Sequence, residues 1–211
     1  MKYTSKDNLL EELKTLPYFK KELIYNLGKN EKTHNLADST IDTYISRFLK
    51  HKDIISLKRG FYVTTDFYNK HRNDTTYLFY LSNILRSPSY ISSWTALQYY
   101  NLTTEIIHTI TAVTTKVTRS YKTKIGAFSY QSIKKDLFSD FSLIKNDDFE
   151  FFIATPAKAL FDLLYFKTKQ FKKIKLNDIE YLIEELRIDM AEMDETEKNK
   201  FYSMLKKIYK I

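Results

Sequence analysis

The stretch from Asp38 to Thr64, DSTIDTYISRFLKHKDIISLKRGFYVT, decides how the first third of the chain is read. Ile41, Tyr44, Ile45, Phe48 and Leu49 recur at the spacing that lines one side of a helix. Ser39, Thr40, Asp42, Thr43, Ser46, Arg47 and Lys50 fall on the other side. Asp38 or Ser39 is expected to cap the start by accepting from free backbone N–H groups. Ile54-Ile55-Ser56-Leu57 and Phe61-Tyr62-Val63-Thr64 read as two strands about Lys58-Arg59-Gly60, where Gly60 supplies the positive φ of a tight hairpin. A polar helix face followed by a basic hairpin is how a winged helix-turn-helix meets DNA, with the helix in the major groove and the hairpin on the backbone or minor groove. The same pattern also fits a small α/β unit whose helix face is merely solvated. The Ser, Thr, Arg and Lys of that face suit phosphate oxygens and base edges, which favours DNA.

Working outward, Leu9, Leu10, Leu13 and Leu16 predict a helix over Ser5–Leu16, with Ser5 as its cap. Pro17 suits the first turn of a second helix, which runs to Leu27 with Phe19, Leu23, Ile24 and Leu27 inward and stops at Gly28. Lys29–Asn35 is polar and reads as the turn before the third helix. Three helices and a wing make a winged helix-turn-helix domain over residues 1–66, within the size range of autonomous domains. The polar segment Asp66–Asp74, DFYNKHRND, marks the boundary.

Residues 74–211 read as a larger α+β domain. Asp74 or Thr75 caps a helix through Leu85, closed by Ser87-Pro88, and Ile91–Tyr100 reads as another helix. From Ile106 to Tyr130 the runs IIHTITAVTT, KVTRSYKT and IGAFSYQSI are rich in Thr, Val, Ile and Tyr and read as strands. Phe149–Ala154 reads as a buried strand, and Pro156–Phe166 as a helix with Thr155 as cap and Pro156 in its first position. Two amphipathic helices follow, Asn177–Leu186 and Glu195–Ile208.

Composition bounds the function. A hydrophobic fraction of 43% is enough to fill packed cores, and 3 Gly with 3 Pro argue against long linkers. The absence of Cys excludes a disulfide, a thiolate metal site and a cysteine nucleophile. The acids in MKYTSKDNLLEEL stand where a secretory signal needs an apolar core, and no apolar run approaches the ~20 residues of a membrane span, so a cytoplasmic protein is expected. The net charge is +8, and residues 1–72 hold 14 Lys and Arg against 9 Asp and Glu, so the first third is the more basic per residue. That balance suits a nucleic-acid partner.

Catalytic readings find little purchase, and neither a cofactor nor a metal is expected. His34, His51, His71 and His108 lack metal-ligand spacing, and three glycines make no phosphate-binding loop. Asp147, Asp148 and Glu150 precede FFIA, but no lysine follows at the strand spacing that a metal-dependent nuclease uses, since Lys158 lies on the next helix. Asp162, inside an apolar helix, reads as a cap or a buried hydrogen-bond partner. The 30 residues Ile106–Lys135 contain no acid. Lys116, Arg119, Lys122 and Lys124 there read as a second basic surface for nucleic acid, a surface for an acidic partner, or a solvated sheet face. Tyr121 and Tyr130 are the only aromatics beside it that could stack on single strands.

At specific motifs the chain resembles the AbiEi-type antitoxins of type IV, abortive-infection toxin–antitoxin systems. Arg59-Gly60-Phe61-Tyr62 is similar to the family's RG-aromatic wing. Tyr90-Ile91-Ser92 through Ala96-Leu97, Tyr100 and Leu102 resembles its Y-I-S…A-L-x-x-Y-x-L segment, and Thr111-Ala112-Val113-Thr114-Thr115-Lys116 its T-x-V-T-x-K strand. Gly126, Phe128 and Tyr130 match the strand after it. Ile153 to Tyr165, IATPAKALFDLLY, resembles I-A-T-P-E-K-A-L-x-D-L-L-Y, with Ala157 where the family often has Glu and Asn101 where Gly is common. The resemblance implies a repressor that binds double-stranded DNA repeats in its own promoter. It also implies that the C-terminal domain counters a nucleotidyltransferase-like toxin, with direct contact not required. Direct neutralisation of a partner, with DNA binding secondary, is the first alternative, and a nuclease-like enzyme the second.

Overall fold

In the computed structural model, which describes residues 5–30, 34–146, 148–172 and 174–209, the fold is mixed α+β. It divides into two units, Met1–Tyr77 with Tyr121–Ile125 and Leu78–Ser120 with Gly126–Ile211. The side chain of Ser5, residues 31–33 of the turn before the third helix, and Asp147 lie outside the described residues.

The first unit contains α1 (Ser5–Leu13), β1 (Phe19–Lys20), α2 (Lys21–Gly28), α3 (Asp38–His51), β2 (Ile54–Lys58), β3 (Phe61–Thr64) and α4 (Thr65–His71). Its core gathers Leu9, Leu13, Phe19, Ile24, Ile41, Ile45, Phe48, Ile54 and Tyr62. Each such side chain contributes about 1.5–3 kcal/mol when fully buried. The hairpin β2–β3 is antiparallel, and Gly60 at its tip takes φ +76°. The helix expected from Pro17 begins only at Lys21. Phe19 and Lys20 instead pair with Tyr62 and Phe61, giving a sheet in the order β1-β3-β2. Stacking of Phe19 on Tyr62 at 6.0 Å holds the segment extended. Gly28 is the last residue of α2 rather than a left-handed stop. A Cβ there would lie 2.8 Å from Ile41 Cδ1, so glycine serves the close approach of α2 to α3. Neither Asp38 nor Ser39 caps α3, because the N-cap is Ala37 and has no side-chain acceptor. The polar segment after Thr64 is helix α4, capped by the Thr64 hydroxyl accepting from Phe67 N–H at 3.2 Å.

The division between the units runs through α5 (Thr75–Leu85), whose start is tied by Thr76 N–H donating to Asp74 at 2.8 Å. There follow β4 (Ser89–Ile91), α6 (Ser93–Tyr99), β5 (Thr109–Thr114), β6 (Arg119–Lys122), β7 (Ala127–Ser132), β8 (Phe141–Lys145), β9 (Glu150–Ala154), α7 (Pro156–Lys167), α8 (Ile179–Glu185) and α9 (Glu195–Tyr209). One six-stranded sheet runs β6-β7-β5-β4-β9-β8. Ile91, expected to begin a helix, lies in β4, parallel to β9 at Ile153 and antiparallel to β5. A three-residue central strand is imposed by its neighbours and carries no period of its own. The edge strand β8 gave no sequence signal and is fixed by antiparallel pairing with β9.

Helix α7 is buried from Ala157 through Tyr165, which is why its sequence is apolar around the whole circumference. Thr155 accepts from Lys158 N–H at 3.3 Å, and Pro156 opens the helix. Inside it, Lys158 Nζ lies 2.8 Å from Asp162 and donates to Leu137 O at 2.7 Å. Asp162 also accepts from Ser92 Oγ at 2.7 Å and Tyr90 Oη at 3.0 Å. Burial pushes the Asp162 carboxyl above its ordinary range, opposed by Lys158 and these two hydroxyls. The pair ties α7 to β4 from within the core, the position of a structural lock.

Candidate nucleic-acid interface

Helix α3 buries Ile41, Ile45 and Phe48 and turns Ser39, Asp42, Thr43, Ser46, Arg47 and Lys50 to solvent, while Thr40 is half-buried. Thr43 Oγ1 donates to Ser39 O at 2.8 Å, so its proton is committed to the helix backbone. Ser39 and Ser46 keep exposed hydroxyls. Among the described residues Arg47, Lys50 and Arg59 have no ion-pair partner.

The two acids of α3, which would repel phosphate, are both engaged by α2. Lys29 Nζ lies 2.7 Å from Asp38 and Lys21 Nζ 2.9 Å from Asp42, and Tyr25 Oη donates to Asp42 at 2.6 Å. The Tyr25 hydroxyl, then Lys21, hold the Asp42 carboxyl below its usual range. Both lysines also flank the Tyr25 ring, at 5.1 and 5.8 Å from its centroid. Lys21 and Tyr25 on α2 and Lys29 at its C-cap are spaced by four residues, and Asp38 and Asp42 are four apart on α3, so the two helices mesh along one polar seam. Sequence periodicity held this signal, but nothing local indicated which face would meet which.

At the hairpin, Lys58 Nζ sits 3.9 Å from the Phe61 ring centroid and Lys20 Nζ 5.4 Å from it. Strand β1 therefore adds Lys20 to the expected Lys58 and Arg59. Closing the tip, Lys21 N–H donates to Gly60 O at 2.9 Å.

The second basic stretch does not gather in the same way. Lys116, Arg119, Lys122 and Lys124 are all exposed. Arg119 and Lys122 are three positions apart on β6, and the two-residue period of a strand sends them to opposite faces. Tyr130 is fully buried and donates to Ser82 O at 2.7 Å, which removes it as a stacking platform.

No protein-family model matches the chain, nor does any curated protein. Among the described residues no helix is long and apolar enough to cross a membrane.

Proposed function

We propose that the chain is a DNA-binding transcriptional repressor, the antitoxin of a type IV abortive-infection toxin–antitoxin system that autoregulates its own operon. On this reading α3 enters the major groove, β2–β3 is the wing of a winged helix-turn-helix, and the second unit counters a nucleotidyltransferase-like toxin. The observation that carries it is the charge arrangement of α3, whose acids are held by α2 while Arg47, Lys50 and Arg59 remain unpaired among the described residues. Such cations release condensed counterions on meeting phosphate.

The family resemblance supplies the antitoxin half, and its two departures have local reasons. Asn101 takes φ 58°, a conformation that favours glycine and that asparagine tolerates. Ala157 N–H donates to Glu197 at 3.0 Å, so a carboxylate from α9 reaches the helix start that a glutamate at 157 would serve. A footprint on the DNA upstream of the chain's own coding region tests the proposal, with protection of repeated sequence expected. Direct neutralisation of a protein partner finds support in the edge of the second sheet, where Leu143 and Phe152 pair across β8 and β9 with 38% and 41% of their surface exposed. Co-purification with the toxin in the absence of DNA distinguishes that reading.

A further inference from the structure

Within the second unit a cavity of about 230 Å³ opens on the face of the sheet covered by α6 and α7. The parallel register Thr111↔Ser129 and Val113↔Gln131 sets Ser129 and Gln131 two positions apart on β7, so they share that face. Trp94 from α6 and Phe166 from the end of α7 contribute rings, and among the described residues Lys167 supplies the only charge. Thr111 is satisfied internally, donating to Ser92 O at 2.6 Å. The other polar groups of the lining are not. Among the described residues the indole N–H of Trp94, the hydroxyls of Ser93 and Ser129, the Gln131 amide and the Lys167 ammonium have no hydrogen-bond or ion-pair partner in the protein. Among the described residues the indole also touches no other ring.

A concave apolar site with a few convergent, uncommitted polar groups is the form of a ligand pocket. The lining specifies the ligand's chemistry. The indole offers a face for a planar ring, and an amide offers a donor beside an acceptor, which matches the edge of a nucleobase. Lys167, exposed at the rim, suits a phosphate. The volume is below the ~300–1,000 Å³ of drug-sized sites, so a single base fits and a dinucleotide does not. We infer that this cavity binds one nucleotide, with its base against Trp94, its edge read by Gln131 and Ser129, and its phosphate held by Lys167. The inference is independent of the DNA-binding reading, because no residue of the first unit takes part.

Trp94 is the only tryptophan, so the fluorescence of the full chain reports on the pocket directly. The four nucleoside 5′-monophosphates are titrated, with the nucleosides, inorganic phosphate and a single-stranded oligonucleotide in parallel. Saturable quenching by at least one monophosphate is expected, with the nucleoside binding more weakly. Lys167→Ala should weaken the monophosphate about tenfold and leave the nucleoside unchanged, because the lost contact is charge-assisted. Gln131→Ala should alter the order of preference among bases. Both side chains are exposed, so both variants retain the fold, which the unchanged emission of the ligand-free protein verifies. An oligonucleotide that binds at least as tightly as the monophosphate identifies the base of a strand as occupant, and monophosphate binding alone identifies the free nucleotide. No quenching by any monophosphate, or quenching that both substitutions leave intact, overturns the assignment.

Discussion

At the scale of single residues, the buried Lys158–Asp162 pair shows how a charge is kept inside a core. Its side chains are 2% and 0% exposed, and their remaining bonds go to Leu137 O, Ser92 and Tyr90. Removing one member leaves the other uncompensated. Lys158→Met or Asp162→Asn alone should therefore cost about 3–5 kcal/mol in denaturant unfolding. Lys158→Met/Asp162→Asn keeps an acceptor for Ser92 and Tyr90 and should lose clearly less than the sum of the single changes. Strictly additive losses would show that the two charges do not interact. Burial also pushes the Tyr100 hydroxyl up to about 12, and Tyr90 moves in the same direction, chiefly from burial and then from Asp162. The folded state thus holds these protons where the unfolded chain releases them. Stability should be undiminished below the ordinary phenol value of 10.0 and fall as pH rises through about 12. Tyr100→Phe removes one of the two groups and should make that fall shallower, while a variant whose stability falls as steeply over the same pH range would contradict this. Of these residues, Asp162 is singled out by the sequence as an acid inside an apolar helix, while Tyr90, Ser92, Tyr100 and Lys158 enter through the family motifs. That Lys158, one turn away, is its partner is not legible, because burial on every side of α7 is a tertiary fact.

At the scale of elements, α3 and its hairpin were legible because their signals are local. Five apolar residues at helical spacing and one glycine between two β-rich runs leave few alternatives. Strands β1 and β4 were not legible, since two or three residues carry no period and become strands only where Phe61-Tyr62 or Ile153 is there to pair. The role of Gly28 was misassigned for the same reason, since the contact it permits is with Ile41 on another helix. Gly28→Ala should gain about 1 kcal/mol of helix propensity but lose about 1–3 kcal/mol to overpacking, a net destabilisation seen as a lower Tm. Adding Ile41→Val removes the Cδ1 that lies 2.8 Å from the new methyl and should restore part of the loss. A stabilised Gly28→Ala single variant would mean that α2 and α3 can separate at no cost. Along residues 116–124, counting charges ignores the alternation that sends Arg119 and Lys122 to opposite faces of β6.

At the scale of the whole molecule, the two units are assigned different tasks. A fragment spanning Met1–Tyr77 carries the α1–α3 core and the hairpin. It should bind the upstream DNA yet fail to rescue cells from the toxin, while full rescue by it would show that repression suffices and that the second unit is not the antitoxin. With α3 and the hairpin proposed as the DNA-reading surface, salt-dependent affinity probes that surface directly. The full chain and its Arg47→Ala/Arg59→Ala variant are titrated against the upstream DNA over a range of salt concentrations. Each phosphate contact contributes about 0.9 to the slope of log affinity against log salt, so losing both cations should reduce it by roughly 2 and weaken binding to all sequences alike. A variant with wild-type affinity and an unchanged slope would contradict the account and remove α3 and its hairpin from DNA recognition.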